Sequence, residues 1–264
     1  MFPETYPYDH HYRFQNFEYF VVMDFEATCD KDKPPFPQEI IEFPSVVVGS
    51  ATGQLEACFQ TYVRPTCNRI LTDFCKDLTG IQQVQVYIYI YIFDLWVRLI
   101  NYVCRQGVTL SEAILSHDQW LEKSGIKNTN FAVVTWSDWD CRVMLESECR
   151  YKNIPKPPYF NRWINLKVPF HEIFGMERCN LKQAVEKAGL AWEGRLHCGL
   201  DDAKNTARLL ALIMQRGFKL SITNPLNAVT WAPQKPLFVP LQHPQRHYGL
   251  PSSRVPCCYC GVAA

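Results

Sequence analysis

Tyr19-Phe20-Val21-Val22-Met23-Asp24-Phe25-Glu26-Ala27-Thr28 is a short apolar run that ends in two acids. Five consecutive apolar residues suit a strand buried on both faces. Asp24 and Glu26 follow two residues apart, the spacing that puts two side chains on one face of an extended chain. Two carboxylates leaving an apolar strand together repel each other and cost desolvation. A hard divalent cation relieves both, and oxygen donors suit Mg²⁺ or Mn²⁺. The plainer reading is a pair of solvated acids at a strand end.

Working outward, Ile40–Val48 reads as a second strand, with a bulge or edge at Pro44. Thr52-Gly53-Gln54 is a turn, and Leu55–Val63 is a third strand, antiparallel to the second. Helical spacing appears at Thr72–Thr79, closed by Gly80, and at Thr109–Lys123, closed by Gly125. Phe131–Trp136 is another apolar strand, Asp138–Tyr151 is helical, and Trp163–Leu166 is a short strand. Asn180 caps a helix that runs to Gly189. Leu200–Gly217 carries Ala203, Ala207, Leu210, Ala211 and Met214 on one side, a small-residue stripe that lets a helix sit close to a sheet. Strands first, then strands alternating with helices, predict an α/β or α+β domain over about 19–220.

The composition agrees. Of 264 residues 47% are hydrophobic and 20% charged, which excludes a wholly disordered chain. Lys+Arg 27 against Asp+Glu 26 gives +1, which excludes a uniformly basic nucleic-acid coat. Twelve cysteines occur without an N-terminal apolar run and without a glycosylation sequon, so free thiols in a reducing compartment, cytoplasmic or nuclear, are expected. The longest apolar stretch, Val86–Val103, contains Asp94 and Arg98, so no membrane association is expected.

Three segments stand outside the domain. Residues 1–18 are aperiodic and read as a tail. Tyr87-Ile88-Tyr89-Ile90-Tyr91-Ile92 opens a stretch, 86–106, that interrupts a helix-to-helix connection where a few residues suffice. It reads as an insertion, of the kind a translated intron with a TA repeat encodes. Residues 221–264 are Pro-rich and read as a linker or extended tail.

Two more acidic clusters have chemical spacing. In His197-Cys198-Gly199-Leu200-Asp201-Asp202-Ala203-Lys204-Asn205 a His and an Asp five residues apart open a helix. The Asp can reach a metal, and the His can take a proton from water. Either Asp201 or Asp202 could instead simply cap the helix. Asp138 and Asp140 follow the fourth strand, where each is also a possible first-turn acid. Taken together, Asp24, Glu26, Asp140, His197 and Asp202 match the DEDDh pattern of 3′–5′ exonucleases in order and residue type.

The surrounding residues narrow this further. Tyr19–Cys29, Pro37–Pro44, Leu78–Ile81, Trp139-Asp140, Trp163–Leu166 and His197–Asn205 resemble the ERI-type (enhanced-RNAi) 3′–5′ exoribonucleases over about 19–220, apart from 86–106. The resemblance implies an RNase H-like α/β fold, a central mixed five-stranded sheet flanked by helices, and two Mg²⁺ ions, with Mn²⁺ as a substitute. It implies Asp24, Glu26, Asp140 and Asp202 as metal ligands, with Asp24 bridging, and His197 as general base. Ala27 and Thr28, beside the metals, are the candidates for holding the terminal nucleotide. The expected partner is RNA with a free 3′ end. Phe25, Trp136 and Trp139 are candidate base-stacking residues, though core packing is the favoured reading because they flank apolar strands. Arg142, Lys204 and Arg208 are candidate phosphate contacts, or merely solvated cations.

Cys258-x-Cys260-Gly261 resembles the opening of a GRF-type zinc finger. No further His or Cys follows it, so no bound zinc is expected. Two rival readings remain at this point: a DEDDh 3′–5′ exodeoxyribonuclease, and an inactive RNA-binding isoform disabled by the insertion.

Overall fold

The computed structural model describes residues 15–86, 107–175 and 178–226. One mixed sheet organises them. Its strands are β1 (Tyr19–Met23), β2 (Glu26–Ala27), β3 (Ile40–Gly49), β4 (Leu55–Tyr62), β5 (Phe131–Thr135), β6 (Arg162–Asn165) and β7 (Asn224–Pro225). β1 lies between β3, antiparallel, and β5, parallel; β6 continues parallel beyond β5. β4 pairs antiparallel with β3. The five longer strands are the mixed five-stranded sheet expected from the sequence. Two-residue β2 and β7 raise the total to seven, and strands so short leave no period for a sequence to show.

Alternation along β1 sorts the core into two layers. Phe20 and Val22 face one side with Val46, Val48, Val134 and Ile164. Val21 and Met23 face the other with Val47, Val133 and Trp163. The helices are α1 (Asp73–Thr79), α2 (Gln83–Val86), α3 (Leu110–Lys123), α4 (Glu146–Lys152), α5 (Lys167–Phe174), α6 (Leu181–Lys187) and α7 (Gly199–Gln215). The first layer is covered by α5, α6 and α7, with Ala203, Ala207 and Leu210 all fully buried. The second is covered by α3 through Leu110, Ala113, Ile114 and Leu121. Helix ends follow the sequence signals. Thr72 caps α1 and Gly80 closes it at φ 77°. Thr109 and Glu112 form a capping box on α3.

Four expectations need correction. The β3 irregularity falls between Val47 and Val48, not at Pro44. β1 ends opposite Ser45 and β2 begins opposite Glu42, so Pro44 meets neither strand and its missing N–H costs nothing there. The helix over 138–151 starts as a π-helical stretch, Trp139–Leu145, before α4. The tail boundary at 18 is too late. The Gln15 side chain donates to Phe218 O at 2.7 Å and accepts from Leu220 N–H at 3.0 Å, and Phe17 packs edge-on against Phe20. The boundary at 220 is too early, because β7 pairs with β6 and Leu226 N–H donates to Asn161 O at 2.8 Å.

The stretch 87–106 and residues 227–264, with Cys258 and Cys260, lie outside the described residues. The chain on either side of 87–106 meets at one place. A β-carbon built on Gly107 would stand 2.8 Å from the Val86 carbonyl oxygen, and Val108 is hydrogen-bonded to Tyr62 and Arg64 at the end of β4. The eight described cysteines are free thiols.

Glu39, just ahead of β3, is fully buried and holds the 66–68 loop. It accepts from the amides of Thr66 (2.7 Å), Cys67 (3.0 Å) and Asn68 (2.7 Å) and from Lys152 Nζ (2.7 Å). Burial alone would raise its pKa, but the Lys152 ammonium and the three amides outweigh it and hold the carboxyl at about 2 instead of 4.5. A depressed carboxylate stabilises the fold above its unfolded pKa, and that contribution is lost as pH falls from about 4.5 toward about 2. Glu39→Ala is expected to cost about 1–3 kcal/mol in urea unfolding, because it removes the acceptor of three loop amides, while Lys152 keeps Glu148 at 2.6 Å. It should also flatten the acid limb of melting temperature against pH between those two values.

Candidate active site

Asp24 and Phe25 leave the sheet where β1 stops, and Glu26 re-enters it in β2 opposite Glu42. Asp140 sits in the first turn after β5, the strand beside β1. Its Oδ1 accepts the Phe25 amide at 2.9 Å, which fixes the second acid to the first motif. Asp202 enters from α7, about 180 positions away in the chain. A ligand atom from each of Glu26, His197 and Asp202 lies within 4.8 Å of the other two.

Burial and crowding shift every acid here. Asp24 is driven well above its usual range by burial, then by the charges of Asp140, Asp202, Glu26 and Glu42. Glu26 is pushed up to about 9 by burial and by Asp202, Glu42 and Asp140. Burial raises Asp140 to about 7 against the pull of the Phe25 amide, and raises Asp202 to about 7 against that of the His197 amide. Four acids that resist ionisation together form a site that a divalent cation would complete, displacing their protons. One atom points the same way: Asp202 Oδ1 is buried and has no hydrogen-bond partner among the described residues. The residues present therefore fit a hard cation.

His197 is exposed and adopts φ 60°, a left-handed conformation that costs a non-glycine residue energy. Its surroundings hold it there. The His197 amide donates to Asp202 Oδ2 at 3.3 Å, and the Arg195 amide to Asp201 Oδ2 at 2.9 Å. Asn205 Nδ2 donates to Glu193 O at 2.7 Å, and its Oδ1 accepts the Glu193 amide at 3.2 Å. Asp201 and Asp202 thus serve the loop before α7 and are not plain caps of that helix. Burial, then the Arg195 charge, lowers the His197 pKa from 6.5.

Other expected residues are sorted by position. Asp138 accepts Trp163 Nε1–H at 2.9 Å and the Asn224 side chain at 2.5 Å, which occupies it away from the acid cluster. Phe25 and Trp136 are core at 2% and 7% exposure; Trp139, at 36%, faces solvent. Thr28 is buried, and both its amide and its hydroxyl bond to Glu39 backbone atoms, at 2.8 and 3.0 Å. Arg208 pairs with Glu193 at 2.9 Å, and Arg142 lies over the Trp163 ring. Neither is a simple solvated cation.

Two residues with structural claims on the site were missed. Asn205 is fully buried and organises the His197 loop. Glu42 is 1% exposed and touches α7. A charge inside Ile40-Ile41-Glu42-Phe43 is the signal that pointed to it.

Known proteins are similar to this chain in sequence and in fold. A model of the family RNase_T, described as Exonuclease, matches residues 21–89 and 101–210. ERI1 exoribonuclease 2 of Xenopus laevis is 38% identical over 81% of this chain, which spans 31% of that relative's length. The 3'-5' exonuclease Snipper of Drosophila melanogaster is 39% identical over 80% of this chain and 75% of its own length. Among solved structures, the nuclease domain of 3'hExo, a DEDDh family member, bound to rAMP, superposes with a TM-score of 0.69. It is 32% identical over 80% of this chain and 98% of that domain.

Proposed function

The chain belongs to the RNase_T exonuclease family, and on that footing we propose that it is a 3′–5′ exoribonuclease that uses two Mg²⁺ ions to release nucleoside 5′-monophosphates from RNA 3′ ends. The observation that carries this reading is the meeting of Glu26, His197 and Asp202 ligand atoms within 4.8 Å, from opposite ends of the domain. Relatives named exoribonucleases favour RNA over DNA.

Divalent cations, when bound in this site, would supply charge neutralisation at the scissile phosphate and would lower the pKa of a bound water. Asp24, Glu26, Asp140 and Asp202 are the residues that would hold them. His197 takes the proton from that water. A lowered pKa leaves its imidazole neutral at pH 7, the form that accepts a proton. The left-handed backbone aims the ring from a loop that Asp201, Asp202 and Asn205 hold in place. Ala27 and Thr28 flank the acids and shape the place of the terminal nucleotide. Trp139, next to Asp140 and solvent-facing, offers a ring for its base.

The test uses 5′-labelled RNA and DNA of one sequence, with Mg²⁺ and with EDTA. A ladder shortening from the 3′ end of RNA, absent in EDTA, is the expected result. Cleavage that persists in EDTA, or preference for DNA, overturns the reading. A second readout needs no substrate. Mg²⁺ at about 100 times its Kd should stabilise the fold by about 2.7 kcal/mol, roughly a 5–10 °C rise in melting temperature for a domain this size. An unchanged melting curve counts against a cation in this site.

A further inference from the structure

Glu42 is not part of the DEDDh set, yet the geometry makes it the joint between the two halves of that set. α7 carries Asp202 and follows directly on His197, and it is seventeen residues long. The residue at its N-cap, Cys198, has a thiol where a hydroxyl or carboxylate usually stands. Glu42 reaches in from β3 instead. Its Oε2 accepts the Gly199 amide at 3.1 Å and its Oε1 the Leu200 amide at 3.3 Å. These are the first two amides of the helix, at the positive end of its dipole. Gln60 of β4 donates to Glu42 Oε1 at 2.6 Å and so holds the carboxylate in line.

The same residue is the register partner of Glu26 across β2 and β3. One side chain therefore ties the strand that sets Glu26 to the helix that sets Asp202. We infer that Glu42 is a positioning residue: it caps α7 from across the sheet and fixes the Asp202 and His197 end of the site against the Asp24 and Glu26 end. Both its oxygens are engaged, by Gln60 and by the Gly199 and Leu200 amides, so it acts through the residues it positions. A buried carboxylate among four others is unfavourable for stability, so a purely structural role would be better filled by a neutral cap. The inference deepens the reading of the site as a cation-dependent nuclease and rests on it.

The experiment compares the full chain with Glu42→Gln and Gln60→Ala. The glutamine keeps the shape but has one acceptor oxygen in place of two. Three quantities are read: amide hydrogen exchange of Gly199 and Leu200 in EDTA, the Mg²⁺ midpoint of thermal stabilisation, and kcat on RNA. In Glu42→Gln, exchange at Gly199 and Leu200 should speed up. The Mg²⁺ midpoint should rise about 10-fold or more, and kcat fall about 10- to 100-fold, as for groups that orient metal ligands. A folded Glu42→Gln protein with lower melting temperature but unchanged midpoint and kcat overturns the inference and leaves a merely structural residue. If Glu42→Gln does not fold, Gln60→Ala decides, because Gln60 is exposed: a midpoint raised a few-fold supports the inference, and an unchanged one overturns it. If the unsubstituted chain binds Mg²⁺ but does not cut RNA, the proposed function fails, while the exchange and midpoint readouts still judge Glu42.

Discussion

Asp24→Ala is expected to abolish RNA 3′-end hydrolysis, with kcat lowered about 10⁴-fold or more, the scale seen when one member of a catalytic unit is removed. The argument comes from position. Asp24 is the first residue past β1 and feels the charges of Asp140, Asp202, Glu26 and Glu42 together. Glu26, two residues on, feels three of the same charges, from Asp202, Glu42 and Asp140. The same substitution has an opposite expected effect on stability. Without a cation the wild-type acids repel one another and hold protons above their ordinary range. Removing one relieves that cost, so in EDTA the variant should melt at or above the wild-type temperature. With Mg²⁺ the order should reverse, because only the wild type gains from binding. Melting curves in both buffers, beside a turnover assay, check this. A variant that keeps a tenth of the activity, or one that still gains the full Mg²⁺ shift, would sink the assignment of Asp24.

Gly199→Ala carries the second large effect. Local propensity favours the change, since alanine is the better helix former by about 1 kcal/mol. Tertiary contact forbids it. A β-carbon at 199 would stand 2.7 Å from the Asp24 carbonyl oxygen, 3.0 Å from Pro44 Cγ and 3.2 Å from Glu42 Oε2. The first is backbone and cannot swing aside, so α7 must retreat from β1. A displacement near 1 Å costs about 100-fold in rate when it separates reacting groups, and overpacking adds about 1–3 kcal/mol of instability. The expected outcome is a folded protein, somewhat less stable, with kcat down about 100-fold and helix content intact by circular dichroism. Full activity in Gly199→Ala would mean that α7 and β1 do not need this spacing.

What the sequence disclosed depended on whether a feature was local. The Tyr19–Met23 strand is legible because burial on both faces leaves an unbroken apolar run. α3 is legible because Thr109 and Glu112 sign its start and Gly125 its end. Asp24, Glu26, Asp140, His197 and Asp202 could be proposed from the sequence because metal and proton chemistry calls for such side chains at strand and helix ends, and the structure brings ligand atoms of Glu26, His197 and Asp202 together. Glu42 and Asn205 were not legible, because their work is defined by partners 157 and 12 residues away. Nothing in the neighbouring letters states those partners. The π-helical start at Trp139 and the docking of Gln15 on residues 218 and 220 are hidden for the same reason. Phe25 and Trp139 show the limit from the other side. Both are aromatic neighbours of site acids, and only packing distinguishes the buried ring from the exposed one.

The closeness of Val86 and Gly107 bears on how this chain tolerates change. Both flanks are anchored at one threshold beside the end of β4, where Val86 packs with Tyr62 and Val108 bonds to Tyr62 and Arg64. For any flexible segment joining two flanks held this close, the closing entropy grows only with the logarithm of its length, about 0.6 kcal/mol for each doubling. The family match pauses at 89 and resumes at 101, between these two flanks in the sequence. The contacts that space the strands and α7 are made by residues outside 87–106. This is a seam in the chain: the two flanks keep their places through contacts of their own, and a change of length between them is expected to leave those contacts as they are.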